Sequence, residues 1–130
     1  MEERMKIYLA GRYDRRVELL GYAGQLGRRH LSTARWLTGA HEGATDPEVL
    51  RRCAAEDLED IERSDVLVVF TEDPSVGQTS GGRHVAMGYA FGIDVDVVVV
   101  GPIENIFHHL VDADGSRYDT WAEALAEEFA

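Results

Sequence analysis

Downstream of the apolar run Val66-Leu-Val-Val-Phe70 lies the segment Gln78-Thr-Ser-Gly-Gly-Arg-His-Val-Ala-Met-Gly-Tyr-Ala90. A small-residue turn entering a helix leaves backbone amides unpaired, and the positive end of the helix dipole faces whatever sits before it. Ser80-Gly81-Gly82 supplies such a turn. Its glycines let a ligand approach the backbone, and the Ser80 hydroxyl adds a donor, so the segment suits a phosphate or a sugar. Many ordinary helix starts share this pattern, and alone it identifies no activity.

A second segment, Leu9-Ala-Gly-Arg-Tyr-Asp14, follows the first predicted strand. Gly11 gives it flexibility, and the guanidinium forks of Arg12 and Arg16 can hold a phosphate or orient a base. A plain strand-to-helix turn accounts for the same residues. The segment is neither GxGxxG nor a P-loop, so dinucleotide and triphosphate sites gain no support. Metal chemistry gains none either. His108 and His109 project about 100° apart on a helix and cannot share one ion, and no other His, Cys or acid spacing resembles a zinc set.

These groups need elements to position them. Met5–Ala10 reads as a first strand, and Asp14 as the cap of a helix reaching Leu26. A short strand is predicted over His30–Trp36. Asp46-Pro47 starts a long helix to Ser64, with Leu50, Cys53, Ala54, Leu58 and Ile61 facing inward. Val66–Phe70 and Val95–Val100 are further strands, with a helix over Arg83–Phe91 between them. A short helix over Asn105–Leu110, a minor strand at Arg117-Tyr118 and a helix capped by Thr120 complete the chain. Strands alternating with helices predict an α/β, flavodoxin-like (Rossmann-like) domain over residues 1–130. It has a parallel sheet of four to five strands and helices on both faces. Ligands of such folds gather at the carboxyl ends of the strands, near the topological switch point.

The 130 residues carry a formal charge of −11, which disfavours polymeric nucleic acid. Residues 1–36 nonetheless hold eight Lys/Arg against four acids, a local +4 that leaves −15 elsewhere. A basic end on an acidic body suits a small anionic ligand, although solvation of a helix surface explains Arg28 and Arg29 as well. One cysteine, Cys53, excludes an intrachain disulfide and fits a reducing compartment. No apolar run approaches a membrane span, and the first residues do not read as a signal peptide, so a cytoplasmic location is expected.

Ile7-Tyr-Leu-Ala-Gly11, Asp57-Leu-Glu-Asp-Ile61, Ser64-Asp65-Val66 and Gly81-Gly-Arg-His-Val-Ala-Met-Gly-Tyr-Ala90 occur in the order found in nucleoside 2-deoxyribosyltransferase-like proteins. Gly101-Pro-Ile-Glu-Asn-Ile-Phe-His108 and Thr120-Trp121 also look like members of that superfamily, which includes nucleoside 5′-monophosphate N-glycosidases. The resemblance implies a homodimer or dimer of dimers with sites near the interface, and no cofactor. It also implies cleavage of an N-glycosidic bond through a covalent sugar–enzyme intermediate, yielding free base and (deoxy)ribose 5-phosphate. The family nucleophile is a glutamate where this chain has Ala86. Alanine offers no lone pair, so the chain is either a variant disabled to hold substrate or a binding-only relative.

By the same resemblance Asp57 matches an acid at the base or sugar, although a solvent-facing position in the acidic run Glu56–Asp60 explains it almost as well. Asp60 reads as a solvated residue. Ser80 and Gly82 match 5′-phosphate positions, which favours nucleotides over nucleosides. His108 matches a group directed at a neighbouring subunit's phosphate. Trp36 and His41 fall where relatives contact the base, and Tyr13 is placed to touch base or sugar. Gly11, Arg12, Arg16, Met87 and Asn105 complete the expected substrate set, with a modest preference for pyrimidine. Base exchange between free deoxynucleosides and non-catalytic nucleotide binding are the alternatives.

Overall fold

The computed structural model describes residues 4–27, 29–39, 43–76 and 81–130. Five parallel strands form one sheet in the order β2-β1-β3-β4-β5. They are β1 (Lys6–Ala10), β2 (Leu31–Ser32), β3 (Val66–Phe70), β4 (Asp96–Val100) and β5 (Arg117–Tyr118). The helices are α1 (Arg16–Leu26), α2 (Pro47–Glu62), α3 (Gly82–Gly92), α4 (His108–Ala113) and α5 (Trp121–Glu128). This is the α/β, flavodoxin-like order. The strand sequence reverses between β1 and β3, so a crevice opens where the chain leaves their carboxyl ends in opposite directions.

β3 is central, pairing Ile7 with Val66 on one side and Val66 with Asp96 on the other. All five of its residues are buried, as a strand covered on both faces requires. Side-chain alternation in β1 divides the two faces. Tyr8 and Ala10 point toward α2 and α3. A Cβ on Gly11, of opposite parity, would meet Leu19 of α1 at 3.0 Å. On the α1 face Tyr22 stacks on both Phe70 and Trp121, at ring-centroid distances of 5.5 and 5.2 Å, which ties α1 to β3 and α5.

Local signals set several boundaries. The Asp46 carboxylate accepts from the Glu48 amide at 2.9 Å, and Pro47 opens α2. Thr120 accepts from the Glu123 amide at 3.2 Å and its hydroxyl donates back to the Glu123 carboxylate, a reciprocal cap on α5.

The expected strand over His30–Trp36 is shorter than the pattern suggests. Only Leu31–Ser32 pairs with β1, and Arg35–Thr38 winds into a 3-10 turn. Competing polar contacts bend the chain there: Thr33 shares a hydroxyl contact of 2.6 Å with Ser64, and the Arg35 amide donates to Asp60 at 2.9 Å. α1 begins at Arg16 rather than Asp14, after a 3-10 turn over Tyr13–Arg15. α4 starts at His108, later than the predicted Asn105.

α2 differs most from expectation. Ile61 is buried as predicted, but Leu50 and Leu58 are exposed at 42% and 37%, and Ala54 is exposed with them. Asp60, read from sequence as solvated, is fully buried.

Candidate functional site

A cleft of about 660 Å³ opens at the β1/β3 switch point. Its floor comes from Tyr8 and Ala10 of β1, and one wall from Gly11–Asp14 with Trp36. The opposite wall is built from Ala54, Asp57, Leu58 and Ile61 of α2, and from Gly81–Arg83, Val85 and Ala86 at the start of α3. The structure thus gathers Gly11, Arg12, Tyr13, Trp36, Asp57, Gly82 and Ala86 around one space. Ser80 and His41 lie outside the described residues.

Each wall has a physical reason for its position. Trp36 is held by its indole N–H, which donates to the Leu9 carbonyl at 2.8 Å. Tyr13 lies beside it with ring centroids 6.1 Å apart and planes inclined at 39°, so the two rings form an angled aromatic wall. Arg16 supports that wall from behind: its guanidinium donates to the Leu37 carbonyl at 2.8 Å. Gly39 is required there. Its φ is +77°, and a Cβ would fall 2.9 Å from the Arg16 guanidinium carbon. Arg12 pairs with Asp14 at 2.8 Å, and its Nε is buried with no hydrogen-bond partner among the described residues.

On the other wall, α3 starts from Gly81 at φ +79°. Glycine has no capping oxygen, so the first amides of α3 border the cleft without that side-chain competitor. Tyr8 is buried beside Asp57. Burial first, and the negative charges of Asp57 and Asp60 next, push its phenol well above the ordinary range. The phenol therefore stays protonated, with its O–H available to donate. Ala86, 8% exposed, presents only a methyl group to the cleft.

Four expected site residues lie off this lining: Arg16, which backs the wall, and Met87, Asn105 and His108. Met87 is packed into the core at 2% exposure. Asn105 accepts from the Phe107 amide at 2.9 Å and contacts His84 Nδ1 at 3.3 Å. His108 is fully buried, and its Nδ1 accepts from the amides of Glu104 and Asn105 at 3.0 and 3.1 Å. Two donors on Nδ1 place the ring proton on Nε2. Glu72 and Asp73 are engaged as well, the first with Arg15 at 2.7 Å and the second with the Ser75 amide at 2.8 Å. Among the described residues no group of three or more His, Cys, Asp or Glu is arranged to hold a metal ion.

His108 gives the site region a pH dependence. Burial lowers its pKa; Glu104 opposes this, while His84, Arg83 and His109 reinforce it. The unfolded chain then binds the proton at a higher pH than the folded one. Stability is full above the ordinary histidine value near 6.5 and falls as pH drops toward the depressed folded value. The urea midpoint is expected to fall between pH 7 and 5.5, with a shallower fall in His108→Gln. Identical slopes for the two proteins would remove His108 from this role.

No protein-family model matches the chain, and no curated protein matches it. Solved structures do. A 2-deoxyribosyltransferase from the psychrotolerant bacterium Bacillus psychrosaccharolyticus superposes with a TM-score of 0.66 at 18% identity, covering 96% of this chain and 92% of that one. A conserved protein from Enterococcus faecalis gives 0.62 at 20% identity, covering 98% of each. A CMP N-glycosidase from Clostridium botulinum gives 0.56 at 17% identity, covering 94% of this chain and 96% of that one. At such identities the likeness establishes the shared fold over nearly the whole chain. Among the described residues no helix is long and apolar enough to cross a membrane.

Proposed function

We propose that this chain captures a nucleoside 5′-monophosphate in the cleft, on an N-glycosidase scaffold whose nucleophile position is occupied by Ala86. The observation that carries the reading is the convergence of three chemistries on one space. The amide end of α3 and Arg12 suit a phosphate, and Tyr13 with Trp36 suits a planar base. The Tyr8 phenol and the Asp57 carboxylate suit a sugar hydroxyl or the departing base. Ala86 stands on α3 within one turn of the amide end, where an attacking carboxylate would meet the sugar. The fold shared with the CMP N-glycosidase and the modest pyrimidine preference that the family resemblance implies make cytidine 5′-monophosphate the first ligand to try.

Titration calorimetry over the nucleoside monophosphates and their nucleosides tests this. Binding of at least one monophosphate is expected about tenfold or more tighter than its nucleoside, without release of base. Absent binding across the panel would end the reading. Equal affinity for both forms would favour the second one, base exchange between free deoxynucleosides, for which the likeness to the deoxyribosyltransferase speaks.

Assembly follows from the same wall. Leu50 and Leu58 on α2 and Val85 on α3 are exposed at 42%, 37% and 67%, and the last two line the cleft. Covering this apolar stripe with a second copy would shield it from water and narrow the cleft mouth. A homodimer is therefore expected by light scattering, and a Leu58→Glu/Val85→Glu chain should run as a folded monomer. A wild-type chain that remains monomeric at high concentration would refute the dimer.

A further inference from the structure

Behind the first turn of α3, where Arg83 reaches back from the cleft wall, lies a cluster of ionisable side chains made by Arg83, His84 and Glu104. Glu104, in the loop after β4, is its centre, with a side chain only 15% exposed. One carboxylate oxygen pairs with Arg83, whose side chain is 6% exposed, and lies 3.7 Å from His84 Nε2. The other accepts from the Glu72 amide at 3.2 Å, in the loop after β3. Burial pushes the Glu104 carboxyl up, but the hydrogen bonds from Arg83 and the Glu72 backbone outweigh it and hold the group below the usual carboxylate range.

The loop that carries Glu104 is itself fixed. Gly101 adopts φ +120°, where a Cβ would collide with the Thr71 hydroxyl at 2.4 Å, and that hydroxyl donates to the Pro102 carbonyl at 2.6 Å. The Glu104 amide is anchored on His108 Nδ1. The ends of β3 and β4 therefore hold the carboxylate in place from both sides.

Among the described residues the start of α3 has less support: it opens with two glycines, Gly81 and Gly82, and a Cβ built on Gly82 would meet none of them within 4 Å. Paired glycines are the loosest backbone on which to begin a helix. Their amides border the cleft, so their direction matters to any anion there. Arg83 is the first residue of the turn with a side chain, and Glu104 holds it.

Resting on the nucleotide reading, we infer that Glu104 is a positioning residue: through Arg83 it fixes the amide end of α3 at the angle a phosphate in the cleft requires. The pair is formally neutral, so its contribution is orientation rather than added positive charge. The titratable neighbours facing it are His84 on α3, His108 at the start of α4, and Glu72, which is paired with Arg15.

The test uses the full chain with cytidine 5′-monophosphate, inorganic phosphate and cytidine as probes. Glu104→Ala should weaken both phosphate-bearing probes about tenfold and cytidine less than about twofold. Glu104→Gln keeps one acceptor oxygen, enough for Arg83 or for the Glu72 amide but not for both, and should recover only part of the loss. Amide exchange should quicken at His84 and Val85, whose amides bond to Gly81 O, and stay unchanged in β3. Parallel losses for cytidine and the monophosphate, or unaltered exchange in that first turn, would overturn the inference. A wild-type chain that binds none of the probes sinks the nucleotide reading instead. Exchange in the alanine variant then decides alone whether Glu104 orders the turn.

Discussion

Ala86→Glu is expected to release free base from a nucleoside 5′-monophosphate that the unaltered chain binds without turnover. The introduced carboxylate attacks the anomeric carbon as the C–N bond breaks, the base leaves with a proton, and water then hydrolyses the sugar ester. Position 86 accepts the change on structural grounds. It lies on α3 facing the cleft, into which a longer side chain can extend, and glutamate is a good helix former. Asp57 and Tyr8 line the same space, where the proposed reading has them steady the base and the sugar. Loss of a nucleophile typically costs enzymes a factor on the order of 10³ to 10⁶, so restoring one should raise base release by at least about 10³ over background. Chromatographic detection of the free base measures it, and mass spectrometry should trap the sugar adduct. Ala86→Gln, equal in size but without a nucleophile, should stay inert. Tight binding by the glutamate variant with no base released would place the chemistry somewhere other than position 86.

The parts of this site written in local chemistry were legible in the sequence. β3 has the bounds the apolar run suggests, and the Asp46-Pro47 and Thr120 helix starts are where capping residues put them. The loops of the cleft, around Gly11 and Gly81–Gly82, follow from strand order and small residues. What was not legible depends on partners distant in sequence. On α2 the apolar stripe Leu50, Ala54 and Leu58 was expected to face inward, but those residues are exposed. Asp60 is buried instead, next to Ile61, which was expected to be, and Ser64 is buried just past the helix end. Helical spacing identifies a face; it does not say which face meets the sheet. A signal was present, since Asp57, Asp60, Ile61 and Ser64 recur at i, i+3, i+4 and i+7, but polarity argued against it. His108 is similar: its sequence position suggested a ligand contact, whereas its Nδ1 is taken up by the amides of Glu104 and Asn105.

Asp60 carries the other large effect. Its carboxylate is fully buried, yet it receives the Arg35 amide at 2.9 Å, Arg35 Nε at 2.9 Å and Arg63 at 2.6 Å. The guanidinium partners are 49% and 59% exposed, so after Asp60→Ala both cations rehydrate and only part of the ion-pair energy is lost. The Arg35 amide is the costlier loss, because it is half-buried and its acceptor is gone. Together with the space left by the side chain, a destabilisation of about 2–3 kcal/mol is expected in urea unfolding. Asp60→Asn should not rescue it fully, because its amide group can accept through one atom only and would turn a donor toward donors. The functional consequence separates this residue from a generic core position. Asp60 holds the turn on which Trp36 rides, so affinity for the base should fall even in conditions where the variant is fully folded. Unchanged stability in the alanine variant would mean that the Arg35–Thr38 turn is held by the Trp36–Leu9 and Arg16–Leu37 hydrogen bonds alone.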